Sequence, residues 1–260
     1  MSIWILVLLC VVQGLTEFLP VSSSGHLLFF EQVFGISENT MFLNLFLHVA
    51  TLLAVVFVYR NVILNLIKKP FQIYTLKLLI ATLFTVVLAF LFEILNLENY
   101  LTKMYSFGFL LTSILLLICH KFQKKAVAFC VEDVTYKNSI LVGIVQGVAV
   151  VPGLSRSGST ISSLMLSGVE EQKASEFSFL LSIPIILGGF LLEFLQVSKS
   201  GLDISCLNIY SCVLAFIITF IVSLIALKLT IKLLKKQKFI IFSIYTFIMF
   251  VITFIINFIV

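Results

Sequence analysis

At 260 residues, 61% hydrophobic and only 11% charged, with a mean hydropathy of +1.20, the chain carries more apolar surface than a water-soluble domain can accommodate. Its net charge of +5 does not point to nucleic acid, because the basic residues fall in short segments between long apolar runs, where the positive-inside bias of membrane proteins accounts for them. The five cysteines, Cys10, Cys119, Cys130, Cys206 and Cys212, lie in or beside apolar runs without CxxC or His-rich spacing, so they read as packing residues rather than metal ligands.

In chain order, the N-terminal MSIWILVLLC has no Lys or Arg before its apolar stretch and therefore reads as part of the mature fold, not a signal peptide. Within residues 1–40 follows QGLTEFLPVSSSGH, where Gln13 and Glu17 are four apart and share a helix face, Pro20 breaks the helix, and Ser22, Ser23 and Ser24 lead to His26. Apolar runs matching the ~20 residues a membrane helix needs come next at 41–59, 73–95 and 105–120. Residues 138–173 then carry PGLSRSGST, in which Pro152-Gly153 ends one helix and a new one begins among Ser155, Arg156, Ser157, Ser159 and Thr160. Three more runs follow at 174–195, 207–229 and 239–260.

Placing the loops in order puts 14 of the 17 basic residues on one side, Lys103 and Lys199 on the other, and Arg156 inside the second broken segment. The lysine-rich side is expected to be the cytoplasm, with both termini outside. Residues 1–40 and 138–173 then each begin and end on one face, which predicts two re-entrant hairpins. Val12-Gln13-Gly14 recurs as Val145-Gln146-Gly147, and Ser22, Ser24 and Gly25 recur as Ser155, Ser157 and Gly158, all at an offset of 133. The expected fold is thus an all-α polytopic membrane protein in a single domain, 1–260. It has six transmembrane helices and two re-entrant hairpins in inverted repeats, about 1–125 and about 134–260, with the hairpin tips meeting near the midplane.

An ionisable group at membrane depth costs ~2.5 to 3.5 kcal/mol on insertion scales, so Glu17 and Arg156 call for a partner or a ligand. Arg156, one of only two arginines, offers a planar fork suited to phosphate oxygens, and the helix that begins beside it supplies backbone N–H groups. His26 is placed after the serines as a candidate acid or base, whereas His48, one turn after Asn44 in an apolar span, is read as a packing residue outside the catalytic set. Glu93, Glu176 and Glu193, near span ends, are given no role. No GxSxG elbow, phosphate-binding GKS/T loop or HExxH site is present.

Together QGLTEFLPVSSSGH and PGLSRSGST, with the later ASEFSFLLSIP, resemble the signature motifs of the bacterial undecaprenyl-pyrophosphate phosphatase family, also called the bacitracin-resistance family. The resemblance runs over nearly the whole chain. It implies hydrolysis of undecaprenyl pyrophosphate to the monophosphate, recycling of the lipid that carries cell-wall precursors, a location in the bacterial cytoplasmic membrane with the site at its outer face, and help from a divalent cation such as magnesium or calcium. No organic cofactor is implied, and the oligomeric state is left open, with a homodimer among the options.

Carried onto this sequence, the catalytic set is Glu17, His26, Arg156 and Ser23. The substrate-binding set is Gln13, Ser22, Ser24, Ser155, Ser157, Thr160 and Gly153, with Glu17 as the metal ligand. The family motif has Glu or Gln at position 13; here Gln13 cannot ionise, which weakens any mechanism built on two carboxylates. The attacking group is left open among Ser23, His26 and water. The competing class is a transporter or flippase of a polyprenyl-phosphate lipid, since inverted repeats with broken helices also build transport sites.

Overall fold

In the computed structural model, the described residues run 2–36, 41–95, 97–127, 133–200, 209–236 and 238–259. Cys130 and Cys206 lie outside them. The described residues form twelve helices, as an apolar chain must when it satisfies its own backbone hydrogen bonds in lipid: α1 (Ile3–Thr16), α2 (Ser23–Val33), α3 (Met41–Val58), α4 (Arg60–Lys68), α5 (Ile73–Ile94), α6 (Glu98–Lys103), α7 (Tyr105–Val127), α8 (Tyr136–Val148), α9 (Arg156–Leu166), α10 (Glu171–Ser200), α11 (Ile209–Lys235) and α12 (Phe239–Ile259).

Five of these are long and apolar enough to cross a bilayer: α5, α7, α10, α11 and α12. A sixth arises if α3 and α4 are taken together as one span bent by 79° after Val58. The sequence reading expected a loop from residue 60; the chain instead continues as α4, which buries none of its residues. Outward-facing rows such as Leu79, Leu83 and Val87 on α5 and Ile217, Ile221 and Ile225 on α11 are exposed at helical spacing, a surface suited to lipid rather than water. The chain is a multi-pass membrane protein.

The packing pairs exchange when the halves are swapped. Helix α1 packs on α11 and α8 on α5, α1 pairs with α2 and α8 with α9, and α3 meets α10 while α7 meets α12. Glycines at the repeat positions make the close approaches. A Cβ on Gly14 would lie 3.0 Å from the Thr219 carbonyl of α11, and one on Gly147 would lie 2.6 Å from Leu88 of α5.

The two broken segments interlock in the same paired way. A Cβ on Gly25 would come within 2.8 Å of Gly153 Cα, and one on Gly158 would sit 3.1 Å from Pro20 Cβ, two contacts that the 133-residue offset exchanges. Gly153 is in the left-handed region at φ +84°, and a side chain there would run into the Tyr105 carbonyl. A core of buried residues including Phe18, Ile161, Phe177 and Phe179 surrounds this junction.

Candidate functional site at the junction of the broken helices

Both second helices open on the same local design. Ser22 caps α2, its Oγ accepting from Gly25 N–H at 3.4 Å, and Ser155 caps α9, its Oγ accepting from Gly158 N–H at 3.0 Å. In each cap the hydroxyl also lies 3.4 Å from that of the serine two residues on, Ser24 or Ser157. The frames differ in strain: Ser155 is extended at φ −68°, whereas Ser22, at φ +69°, is the only non-glycine residue among those described with positive φ. Such a conformation costs ~1 to 3 kcal/mol and persists only when neighbours hold it. Here the holder is His26, whose Nδ1–H donates to the Ser22 carbonyl at 2.6 Å.

The repeat positions then diverge to build one site. Position 23 is Ser23 in the first half and Arg156 in the second, and position 17 is Glu17 opposite Val150. The short segment after α1 brings the buried Glu17 carboxylate to the centre. Its Oε2 accepts from Ser23 Oγ at 2.7 Å and from Gln13 Nε2 at 3.0 Å, and its Oε1 accepts from Arg156 Nη2 at 2.5 Å. The helix-face spacing of Gln13 and Glu17 and the pairing of Glu17 with Arg156 across the hairpins are therefore realised.

These groups line the head of a cavity of about 640 Å³. Its polar end presents Glu17, Ser22, Ser23, Ser24, Ser155 and Arg156, and its walls are apolar, from Val86, Ala89 and Phe90 of α5 and Pro184, Ile185, Leu191 and Leu192 of α10. Gly188 and Gly189 leave open space on the α10 wall.

Five predicted residues do not line this cavity and act in its frame, the first being Gln13, which holds Glu17 Oε2 as described above. Ser157 Oγ donates to the Leu19 carbonyl at 3.2 Å, and Thr160 Oγ1 donates to the Arg156 carbonyl at 2.8 Å while pairing with Ser178 at 2.6 Å. The Gly153 carbonyl accepts from Thr112, which also takes the Ser155 N–H at 2.8 Å. His26 is enclosed: its Nε2 accepts from Tyr245 O–H at 2.7 Å, with Phe109 edge-on to the ring. With both nitrogens satisfied in this way the ring holds the α2 start in place and does not reach the cavity.

Two cavity residues were missed from the sequence. His48 places Nε2 3.6 Å from Glu17 Oε2, and its signal was that Asn44, His48 and Thr51 share one face of an otherwise apolar α3. Gln146 carries a buried Oε1 without a hydrogen-bond partner, and its signal was its repeat relation to Gln13.

The residues at the head do not by themselves make a cage for magnesium or calcium. Among the described residues no three of His, Cys, Asp or Glu come together, and both Glu17 oxygens already accept hydrogen bonds. Such cations take six or more oxygen ligands.

The chain is similar to known proteins over nearly its whole length. A family model described as bacitracin resistance protein BacA matches residues 6–252. An undecaprenyl-diphosphatase of Carboxydothermus hydrogenoformans is 31% identical over 243 residues, covering 93% of this chain and 92% of that protein. One from Halothermothrix orenii is 33% identical, covering 95% of each chain, and one from Treponema denticola is 34% identical, covering 94% of each. With the match running from α1 into α12 and taking in both broken segments, the chain belongs to the bacitracin resistance protein BacA family.

Proposed function

We propose that this protein is an integral membrane phosphatase that hydrolyses undecaprenyl pyrophosphate to undecaprenyl phosphate and inorganic phosphate, the activity that the names of its relatives state. The observation that carries the proposal is a serine hydroxyl hydrogen-bonded to a buried carboxylate, beside an arginine, at the head of an apolar-walled cavity. A carrier needs recognition alone; Ser23 on Glu17 adds a group that can attack and a group that can take its proton.

In this reading the prenyl chain lies along the α5 and α10 walls, and the pyrophosphate meets Arg156. One guanidinium N–H group faces Glu17, which leaves further donors for phosphate oxygens as negative charge builds. Ser23 Oγ attacks the terminal phosphorus as its proton passes to Glu17 Oε2, the serine–phosphorus bond forms, and the anhydride P–O bond breaks with its electron pair on the departing undecaprenyl phosphate. Glu17 passes that proton to the departing undecaprenyl phosphate; the ionised carboxylate then takes a proton from an attacking water, the new O–P bond forms as the serine–phosphorus bond breaks, and the proton returns to Ser23 Oγ as inorganic phosphate leaves. No step is routed through a cation.

The product is the lipid carrier of cell-wall precursors in its reusable form. We place the chain in the bacterial cytoplasmic membrane, with inverted repeats, both termini outside and the cavity opening to the outer face, on the strength of the lysine distribution and the paired helix contacts.

The test is phosphate release from undecaprenyl pyrophosphate by purified protein in detergent, with and without magnesium or calcium, beside Arg156→Ala and Ser23→Ala. Release by the wild type and loss in both variants is expected. Intact lipid that binds without releasing phosphate would overturn the reading, and full activity in Ser23→Ala would move the attack to water.

A further inference from the structure

Gln13 decides more at the cavity head than the hold on Glu17. A carboxylate can only accept hydrogen bonds, so the Gln13 amide turns its NH2 group to Glu17 Oε2 and its carbonyl away from it. That carbonyl oxygen is buried with no hydrogen-bond partner among the described residues, and Gln13 does not line the cavity. The one atom of Gln13 that a cation would seek is therefore not offered at the head. Against Glu17 itself stand the Ser23 hydroxyl, which donates to it, and His48 Nε2 at 3.6 Å, a nitrogen where magnesium and calcium take oxygen. The other carboxylate lining the cavity, Glu93, is exposed on α5 about two turns beyond Thr85.

Charge separates the two ways in which a divalent cation could enter. Glu17 and Arg156 already answer each other, so in the lipid-free protein a divalent cation at the head would bring positive charge that no other buried group compensates. A bound pyrophosphate reverses the balance. It sets several negative charges against the single one of Arg156, and its own oxygens are the ligands that the protein lacks.

We infer that this protein keeps no resident divalent cation and takes one only together with the pyrophosphate of its lipid, and that Gln13, an amide where a second carboxylate would make a cation site, sets this order. The inference rests on the reading of the cavity head as a lipid-pyrophosphate site and deepens it.

Two consequences can be measured. A cation that binds with the lipid must tighten the lipid by the same factor as the lipid tightens the cation, and couplings of this kind are about 10- to 100-fold. Gln13→Glu places a second carboxylate on the same helix face, one turn from Glu17, and Arg156 can answer only one of the two. A cation then has a reason to bind without lipid.

The experiment titrates calcium into purified wild type and Gln13→Glu in detergent, with and without a prenyl methylene-bisphosphonate that cannot be hydrolysed, and follows the thermal midpoint and the dissociation constants of calcium and of the analogue. Without the analogue, calcium is expected to leave the wild-type midpoint unchanged and to raise that of Gln13→Glu. With it, calcium is expected to bind the wild type about 10- to 100-fold tighter and to tighten the analogue by the same factor. Calcium that raises the midpoint of the lipid-free wild type overturns the inference, as does an analogue whose affinity calcium leaves unchanged. Should Gln13→Glu fail to fold, these two wild-type measurements decide alone. Phosphate release is assayed beside them: a wild type that binds calcium and analogue together but hydrolyses no undecaprenyl pyrophosphate removes the phosphatase reading and leaves the inference standing.

Discussion

Glu17 is the residue on which the site turns, because a buried carboxylate with Ser23, Gln13 and Arg156 on its oxygens is stable only while its charge is answered. Arg156 answers it and still has donors for phosphate, a double duty that a point charge cannot perform. Arg156→Lys should therefore leave the fold intact, since an ammonium can still reach Glu17, yet lose about 100-fold in kcat/KM for undecaprenyl pyrophosphate, the scale of removing one donor to developing charge. Hydrolysis within a factor of about three of wild type would contradict the assignment. At this scale Glu17, Ser23 and Arg156 were legible because polar residues in an apolar chain demand a reason. The contact of His48 with Glu17 was not, since the two lie 31 positions apart and the packing of α3 against α1 brings them together. His26 shows the converse: its place after three serines suggested chemistry, and the structure gives both its nitrogens to Ser22 and Tyr245, the latter 219 positions away.

Among the elements, the two broken segments carry the geometry, and glycine is what lets them interlock. Gly153 combines φ +84° with a backbone carbonyl where a Cβ would be, so Gly153→Ala is expected to destabilise the protein by about 2 to 4 kcal/mol and lower its thermal midpoint in detergent. Gly35→Ala, at φ +59° but with nothing within 4 Å, should cost only about 1 kcal/mol, and equal effects from the two would remove the interlocking argument. The walls make a different prediction. Gly188 faces open space beside the apolar flank, so Gly188→Leu should leave stability nearly unchanged but fill the path assigned to the lipid tail. Roughly tenfold lower activity on undecaprenyl pyrophosphate, with far less change on a prenyl pyrophosphate of three isoprene units, is the expected pattern, and equal losses on both would place the tail elsewhere. The breaks between α1 and α2 and between α8 and α9 were readable from Pro20, Pro152-Gly153 and the recurring Ser-x-Ser-Gly, since these set local backbone geometry. The bend between α3 and α4 was not, because no Pro or Gly marks Tyr59 and the turn depends on how the chain leaves its surroundings.

For the whole molecule, that bend bears on orientation. Helix α3 has 18 residues, a rise of ~27 Å, just under the ~30 Å of a hydrocarbon core. Arg60 follows at once, the chain turns by 79°, and α4 runs on with Lys68 and then Lys69 at its end and no buried residue of its own. A short, exposed, basic helix set across the axis of the span before it fits the plane of the headgroups, where its lysines meet anionic lipid and its leucines and isoleucines dip into the acyl boundary. The orientation proposed above from the lysine bias would put that plane at the cytoplasmic face. In the proposed arrangement each half has one hairpin that returns to its own side and three crossings, which would bring both ends of the chain out on the outer face. A thiol introduced as Lys69→Cys in a background lacking the native cysteines should react with a membrane-impermeant maleimide only after the cells are opened. A reporter active only outside the cytoplasm, fused after Val260, should be active. Labelling of Lys69→Cys in intact cells would invert the whole arrangement and put the cavity on the other face, leaving the chemistry at Glu17 as described but changing which compartment receives the phosphate.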